Sequence, residues 1–323
     1  MDPPDMVAIN RIVFMGTPEF AVPSLRALLN NGENVVAVVT QPDRAKGRGR
    51  KVMPPPVKEL ALQAAIPVLQ PQSIRGDAFY ALLETFTPDI IVLTAYGKIL
   101  PPEIITLPPA GTINVHGSIL PQYRGAAPIQ WALIRGESET GVTIMQMDEG
   151  VDTGDILLQE KIPIAPDDTA GTLSVKLAEL GGAALAKALD LLRQDRLYPV
   201  KQDIKQASYA PLLKKEDGWL DWTQSASQIS GLIRGMDPWP TAYTTLSGKR
   251  LRLFSPELVD DRACQSTFTE PGAVCRADRV GLLVHTGEGC LLIREIQAEG
   301  SRRMDVGSFI SGTPIQPGTL LGQ

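Results

Sequence analysis

Three cysteines and two histidines are few for a chain of 323 residues, and both shortages constrain its chemistry. Cys264, Cys275 and Cys290 are odd in number, fall within the last 60 residues and form no CxxC pair. That disfavours a disulfide framework or a zinc site and fits a reducing compartment. No run approaches the roughly 18 consecutive apolar residues of a membrane helix, so no membrane association is expected. The first ten residues are acidic and proline-containing, without a basic stretch followed by an apolar one. No secretory signal is expected, and a cytoplasmic location is. A basic excess is also missing: 31 Lys and Arg stand against 36 Asp and Glu, a net charge of −5. Any nucleic-acid role must therefore come from a local patch. The turn Phe14–Phe20 holds one glycine, Gly16, where a dinucleotide fingerprint needs three, and there is no Walker A sequence. What remains is 43% apolar and 21% charged, with mean hydropathy near zero. This is the composition of a globular chain long enough for about two domains.

Apolar runs separated by amphipathic stretches fill the first half. Arg11–Met15, Val35–Val39, Ile66–Leu69, Asp89–Thr94 and Thr112–His116 read as strands. Glu19–Leu29, Lys58–Ala65, Asp77–Phe86 and Ala126–Ile134 read as helices. Strands apolar throughout and alternating with helices imply a parallel sheet covered on both faces. Gly141–Met147 and Ile156–Ile164 are further strands. A long helix is expected over Thr169–Arg193, weakened or bent at Gly181-Gly182. After Leu197 the apolar periodicity fades, which marks a linker. Beyond it, short strands at Leu251–Phe254, Gly272–Arg276, Gly281–His285 and Cys290–Gln297, with one helix at Ser227–Arg234, suggest a small barrel or sandwich.

Three segments carry chemistry. Between Gln41 and Lys58 stand Arg44, Lys46, Arg48, Arg50, Lys51 and Lys58 against the single acid Asp43, +5 in 18 residues. Two glycines and four prolines in that span argue against regular structure and for a cationic finger suited to phosphates. In Asn114-Val115-His116, residues i and i+2 of a strand share a face, so Asn114 and His116 project together at the carboxyl end of a parallel strand. Asn offers a hydrogen-bond donor, and His transfers protons near neutral pH. Spacing alone leaves equal room for a strand-end histidine bonded to a local carbonyl. His285 reads as structural. In the acidic turn Asp148–Asp155 the spacing does not match a calcium loop. Val151 beside Asp152 suggests that this carboxylate turns inward.

Long stretches of the chain resemble the methionyl-tRNA formyltransferase family. They include GTPEFAVPSL at Gly16–Leu25, QPDRAKGRGRKVMPPPVK at Gln41–Lys58, TAYGKILP at Thr94–Pro101 and NVHGSILPQYRGAAPIQWALIRGE at Asn114–Glu137. TIMQMDEGVDTGDIL at Thr143–Leu157, KKEDGWLDW at Lys214–Trp222 and IRGMDPWPTAY at Ile233–Tyr243 extend the likeness. Ile119, where the family usually has Leu, is a conservative departure. The resemblance implies an α/β fold: an N-terminal Rossmann-like parallel sheet of the formyltransferase type and a smaller C-terminal OB-like β-barrel domain. It implies a catalytic domain over 1–197, a linker over 198–210 and a tRNA-binding domain over 211–323.

The implied activity is transfer of the formyl group of 10-formyltetrahydrofolate to the α-amino group of methionyl-initiator tRNA, for translation initiation. Asn114, His116 and Asp152 would be catalytic. Ser118, Ile119, Leu120 and Pro121 would face the folate. Arg44, Lys46, Arg48, Arg50 and Lys51 would meet the tRNA, Arg44 at its acceptor end. No metal is expected, and the protein is expected to act as a monomer. Two competing readings are a formyltransferase or hydrolase acting on a small substrate, which would not need the basic finger, and a non-catalytic tRNA binder, which would not need Asn114, His116 and Asp152 together.

Overall fold

The computed structural model describes residues 9–46, 51–260 and 267–323. In chain order the first part holds β1 (Ile12–Gly16), α1 (Val22–Asn30), β2 (Val35–Val39), β3 (Arg44–Lys46), β4 (Lys51–Met53), α2 (Pro56–Gln63), β5 (Val68–Leu69) and α3 (Asp77–Glu84). There follow β6 (Ile90–Thr94), α4 (Pro102–Ile105), β7 (Thr112–His116), α5 (Pro128–Ile134), β8 (Glu139–Gln146), β9 (Ile156–Pro163) and α6 (Ala170–Arg193). The rest comprises α7 (Ala226–Met236), β10 (Tyr243–Leu246), β11 (Lys249–Leu258), β12 (Val274–Ala277), β13 (Leu282–His285), β14 (Cys290–Ala298), β15 (Met304–Asp305) and α8 (Val306–Gly312).

Seven strands form one sheet in the order β5-β2-β1-β6-β7-β8-β9. The five from β5 to β7 pair in parallel, as their unbroken apolar runs imply. Every residue of β1, β6 and β7 is buried, so both faces are covered. On one face Val13, Met15, Ile91 and Leu93 pack with Phe79 and Leu83 of α3. The parallel order ends at β8, for which no direction was expected: it runs antiparallel to β7 and sets Thr143 opposite His116. Six consecutive buried residues in β8 look the same in sequence whichever way the strand runs.

Helix α6 runs unbroken through Gly181 and Gly182. The glycines serve close packing instead: a Cβ on Gly181 would lie 2.9 Å from Val115 Cγ1 in β7. The helix backbone thus presses on the core side of the strand that bears Asn114 and His116.

Contact clustering separates two compact units that do not follow a single cut in the chain. The first comprises 1–125, 140–162 and 174–210; the second comprises 126–139, 163–173 and 211–323. In the second unit, β10-β11-β14-β13-β12 form an antiparallel half-barrel sheet with β15 added on β14. Its core gathers Trp222, Ile229, Ile233, Leu253, Val284 and Ile293. Trp131 and Ile134 of α5 pack onto this core. One reading of the cysteines is corrected here. Cys290, in a small apolar cluster with Leu283 and Leu292, is disulfide-bonded. Spacing excludes a short-range framework only and is silent on cysteines that a sheet brings together.

Candidate active site

The carboxyl ends of β1, β2, β6 and β7 supply the site, the position open α/β sheets reserve for ligands. Three of the following loops meet at one carbonyl. Thr17 Oγ1 and Gln41 Nε2 both donate to Tyr96 O, at 3.0 and 3.3 Å. Tyr96 itself is buried, its hydroxyl without a partner among the described residues, and burial pushes its pKa up to about 12.

Asn114 and His116 project from β7, each about 6% exposed. His116 is gripped at both ring nitrogens. Its Nε2 lies 3.0 Å from Tyr123 O, and its Nδ1 lies 3.7 Å from Asp152 Oδ2. The local-carbonyl bond and the approach to a carboxylate therefore occur together. Asp152 Oδ2 also accepts the backbone N–H of Gly125 at 2.8 Å. Asn114 differs from its neighbours: its amide oxygen is buried without a hydrogen-bond partner among the described residues. An unpaired buried carbonyl oxygen is costly for the fold, and Asn114 carries it on the strand face it shares with His116.

Asp152 does face inward, but not for the reason its neighbour suggested. Val151 is 53% exposed. The turn is made by Asp148, which accepts from Gly150 N and Thr153 Oγ1, and by Asp152 itself at φ +52°. The left-handed conformation swings its side chain toward the Gly125 amide.

The turn after β7 is pinned through Thr143, the residue opposite His116. Thr143 Oγ1 donates to Ser118 O at 2.7 Å and accepts from Leu120 N and from Gln159 Nε2. Gln159 Nε2 also donates to Leu120 O, and Ser118 Oγ donates to Gln122 O. Ser118 and Leu120 are buried, while Ile119 and Pro121 are half-buried. Thr143 and Gln159 escape sequence reasoning, because each acts on backbone groups supplied from a distant segment.

The basic segment is partly regular, contrary to expectation. Strands β3 and β4 pair antiparallel, Arg44 opposite Met53 and Lys46 opposite Lys51. The four prolines lie outside the paired residues and the two glycines lie between the strands, so neither breaks the ladder. Lys58 is committed elsewhere, 2.8 Å from Asp43 and from Gln70. That contact holds the Asp43 carboxyl below the usual carboxylate range, with a bond from Gln70 adding to it. Arg44 is exposed, with its Nη2 3.5 Å from Gln41 Oε1. Gln41 links it to the Tyr96 carbonyl; no described contact joins it to the Asn114, His116 and Asp152 cluster. Arg48 and Arg50 lie outside the described residues, as do the side chains of Lys46 and Lys51.

The formyl transferase family matches residues 10–189, and the formyl transferase C-terminal domain matches 212–314. A methionyl-tRNA formyltransferase of Desulfotalea psychrophila is 57% identical over 311 residues, 96% of this chain and 95% of the relative. One from Desulforamulus reducens is 51% identical over 312 residues, 97% of this chain and 98% of the relative. Among solved structures, the sugar 3N-formyl transferase WlaRD, in the presence of dTDP and 5-N-formyl-THF, has TM-score 0.65 and 19% identity, with 91% of this chain and all of that one covered. HypX from Aquifex aeolicus with tetrahydrofolic acid has TM-score 0.63 and 18% identity, covering 98% of this chain and 51% of that one. These two share the fold. With identity of this degree running through both units, the chain belongs to the methionyl-tRNA formyltransferase family.

Proposed function

We propose that the protein transfers the formyl group of 10-formyltetrahydrofolate to the α-amino group of methionyl-initiator tRNA, with Asn114, His116 and Asp152 as its catalytic residues. The observation that carries the residue assignment is His116 held against the Asp152 carboxylate, on the strand face it shares with the buried Asn114. The amine attacks the formyl carbon, and the carbonyl oxygen takes up negative charge in a tetrahedral intermediate. The Asn114 amide N–H donates to that oxygen, a stabilisation worth about 2.7–4 kcal/mol per donor. His116 accepts the proton the amine loses and delivers it to the folate nitrogen as the carbon–nitrogen bond breaks. Asp152 fixes the ring and offsets its charge while the proton resides there. The Ser118–Pro121 turn, braced by Thr143 and Gln159, supports the folate.

Two surfaces fit the tRNA. Arg44 at the base of the basic hairpin is assigned to the acceptor end, and Lys46, Arg48, Arg50 and Lys51 to nearby phosphates. In the second unit, Trp219 and Trp239 are exposed, and Trp219 meets Tyr243 edge-on at 5.6 Å. Arg250 stacks 4.0 Å above Tyr243, beside a cleft of about 370 Å³ that Lys215 and Arg252 also line. Cations and exposed rings together suit a nucleic-acid backbone and its bases.

The deciding assay supplies formyltetrahydrofolate with methionyl-tRNA and, separately, with an amino-sugar nucleotide. Formyl-methionine on the tRNA, and no formylated sugar, is the expected outcome; the reverse overturns the reading.

A further inference from the structure

Residues 198–210 read as a linker, but they form a strap within the first unit, and its contacts converge on the catalytic cluster. Both protein groups that hold His116 sit on residues with left-handed backbone: Tyr123 at φ +60° and Asp152 at φ +52°. A non-glycine residue is strained there and persists only where its surroundings over-determine it. The strap supplies that constraint to both. Tyr123 N donates to Ser208 Oγ at 2.9 Å, and Arg124 N donates to Ser208 O at 2.8 Å. Gln202 Nε2 donates to Asp152 O at 2.9 Å and to Gly154 O at 2.7 Å. Gln202 Oε1 accepts from Arg124 Nε and Nη2, at 3.0 and 2.7 Å. Arg124 precedes Gly125, whose N–H donates to Asp152 Oδ2. One amide side chain therefore grips both ends of the bond that aims the Asp152 carboxylate at His116. Gly125 lets the strap come this close, since a Cβ there would lie 2.8 Å from Ala210 O. Gln202 is half-buried amid exposed neighbours, so its inward side chain is not a by-product of general burial.

We infer that Gln202 is a positioning residue for formyl transfer, clamping the Asp152 turn to the Tyr123–Gly125 turn so that carboxylate and imidazole keep one geometry. The inference rests on the catalytic reading of Asp152 and His116 and assigns Gln202 no contact with substrate.

The test measures kcat and KM for methionyl-tRNA and formyltetrahydrofolate in Gln202→Ala and Gln202→Glu, each in the wild-type and Asp152→Ala backgrounds, with thermal unfolding as a check. Glutamate keeps the acceptor for Arg124 but loses the donor to the two carbonyls, so it isolates the clamp from the Arg124 contact in a chain that stays folded. Both single variants should lose roughly 10- to 100-fold in kcat, the scale of a misplacement near 1 Å, with each KM within about twofold of wild type. In the Asp152→Ala background the same substitutions should cost less than about threefold, because the group they position is gone. Wild-type kcat in folded Gln202→Glu overturns the inference, as does an undiminished loss in the Asp152→Ala background. If Asp152→Ala itself turns over normally, the reading of the catalytic cluster falls instead.

Discussion

Replacing Asn114 by leucine should make the protein a worse enzyme and no less stable a fold. The side chain is about 6% exposed and its amide oxygen has no partner among the described residues. An unpaired buried polar atom costs about 1–3 kcal/mol. Leucine has similar volume and no polar atom, so that cost disappears, less up to about 1.5 kcal/mol for imperfect packing. The balance lies between no change and a gain of about 2 kcal/mol. At about 2–4 °C per kcal/mol for a unit of this size, Tm should stay level or rise by several degrees. The rate should move the other way. Losing one oxyanion donor removes about 2.7–4 kcal/mol of transition-state stabilisation, a fall of about 10²- to 10³-fold in kcat. Thermal unfolding by circular dichroism and initial rates of formyl-methionyl-tRNA synthesis give the two quantities on the same sample. A fall in Tm alongside the rate would mean that Asn114 holds the strand together and that the loss of rate follows from the damaged fold. A wild-type rate would remove it from the mechanism.

His116→Ala should lower kcat by about 10²- to 10⁴-fold with the fold preserved by circular dichroism; turnover near wild type would dismiss it as the proton carrier. Arg44→Ala should reduce both affinity for methionyl-tRNA and kcat, whereas Lys58→Ala should barely change either, because Lys58 is engaged by Asp43 and Gln70; nitrocellulose binding at physiological salt and single-turnover rates separate the two. A chain ending at Ala210 should self-associate on size-exclusion chromatography, because Trp131 and Ile134 of α5 lose the core that covers them; a monodisperse monomer would contradict that packing. Arg303 hydrogen-bonds Glu295 and holds its carboxyl below the usual range, with Ser255 assisting. A depressed carboxylate stabilises the fold above its ordinary pKa and loses that contribution as pH falls through the folded value. Arg303→Gln should therefore flatten the acid side of a Tm-against-pH curve by about 2–4 °C at most, since the pair is partly solvated; an unchanged curve would show the pair to be thermodynamically silent.

Elements that announce themselves by period and burial were legible in the sequence. Val35–Val39 and Thr112–His116 are strands at the residues expected, and Asp89–Thr94 differs by one. The pairing of Asn114 with His116 followed from strand alternation alone. What stayed hidden has a common cause: it depends on which distant segment supplies a partner. The direction of β8, antiparallel to β7, is not written in its composition. The β3–β4 ladder needs no apolar face, so it left no pattern. Asp152 turns inward through its own backbone conformation and a glycine amide 27 residues away. Gln202 lies 78 residues from the arginine it binds, in a stretch whose polarity reads as linker.

The interleaving of the two units carries a consequence for how the chain is made. Helix α5 emerges from the ribosome soon after the strand that bears His116, yet its principal neighbour, α7, is encoded some 90 residues later. At about 5–20 residues per second, the apolar side of α5 waits roughly 5 to 20 s for its cover during synthesis. The strap that locks the Tyr123 and Asp152 turns is likewise late, arriving after α6. The catalytic sheet can therefore collapse early, while the geometry of its active site stays open until translation has passed Ala210. A nascent chain stalled before that point would hold a folded sheet with an untrained His116, and the interval in which α5 is bare is when a holdase chaperone would find the most to bind.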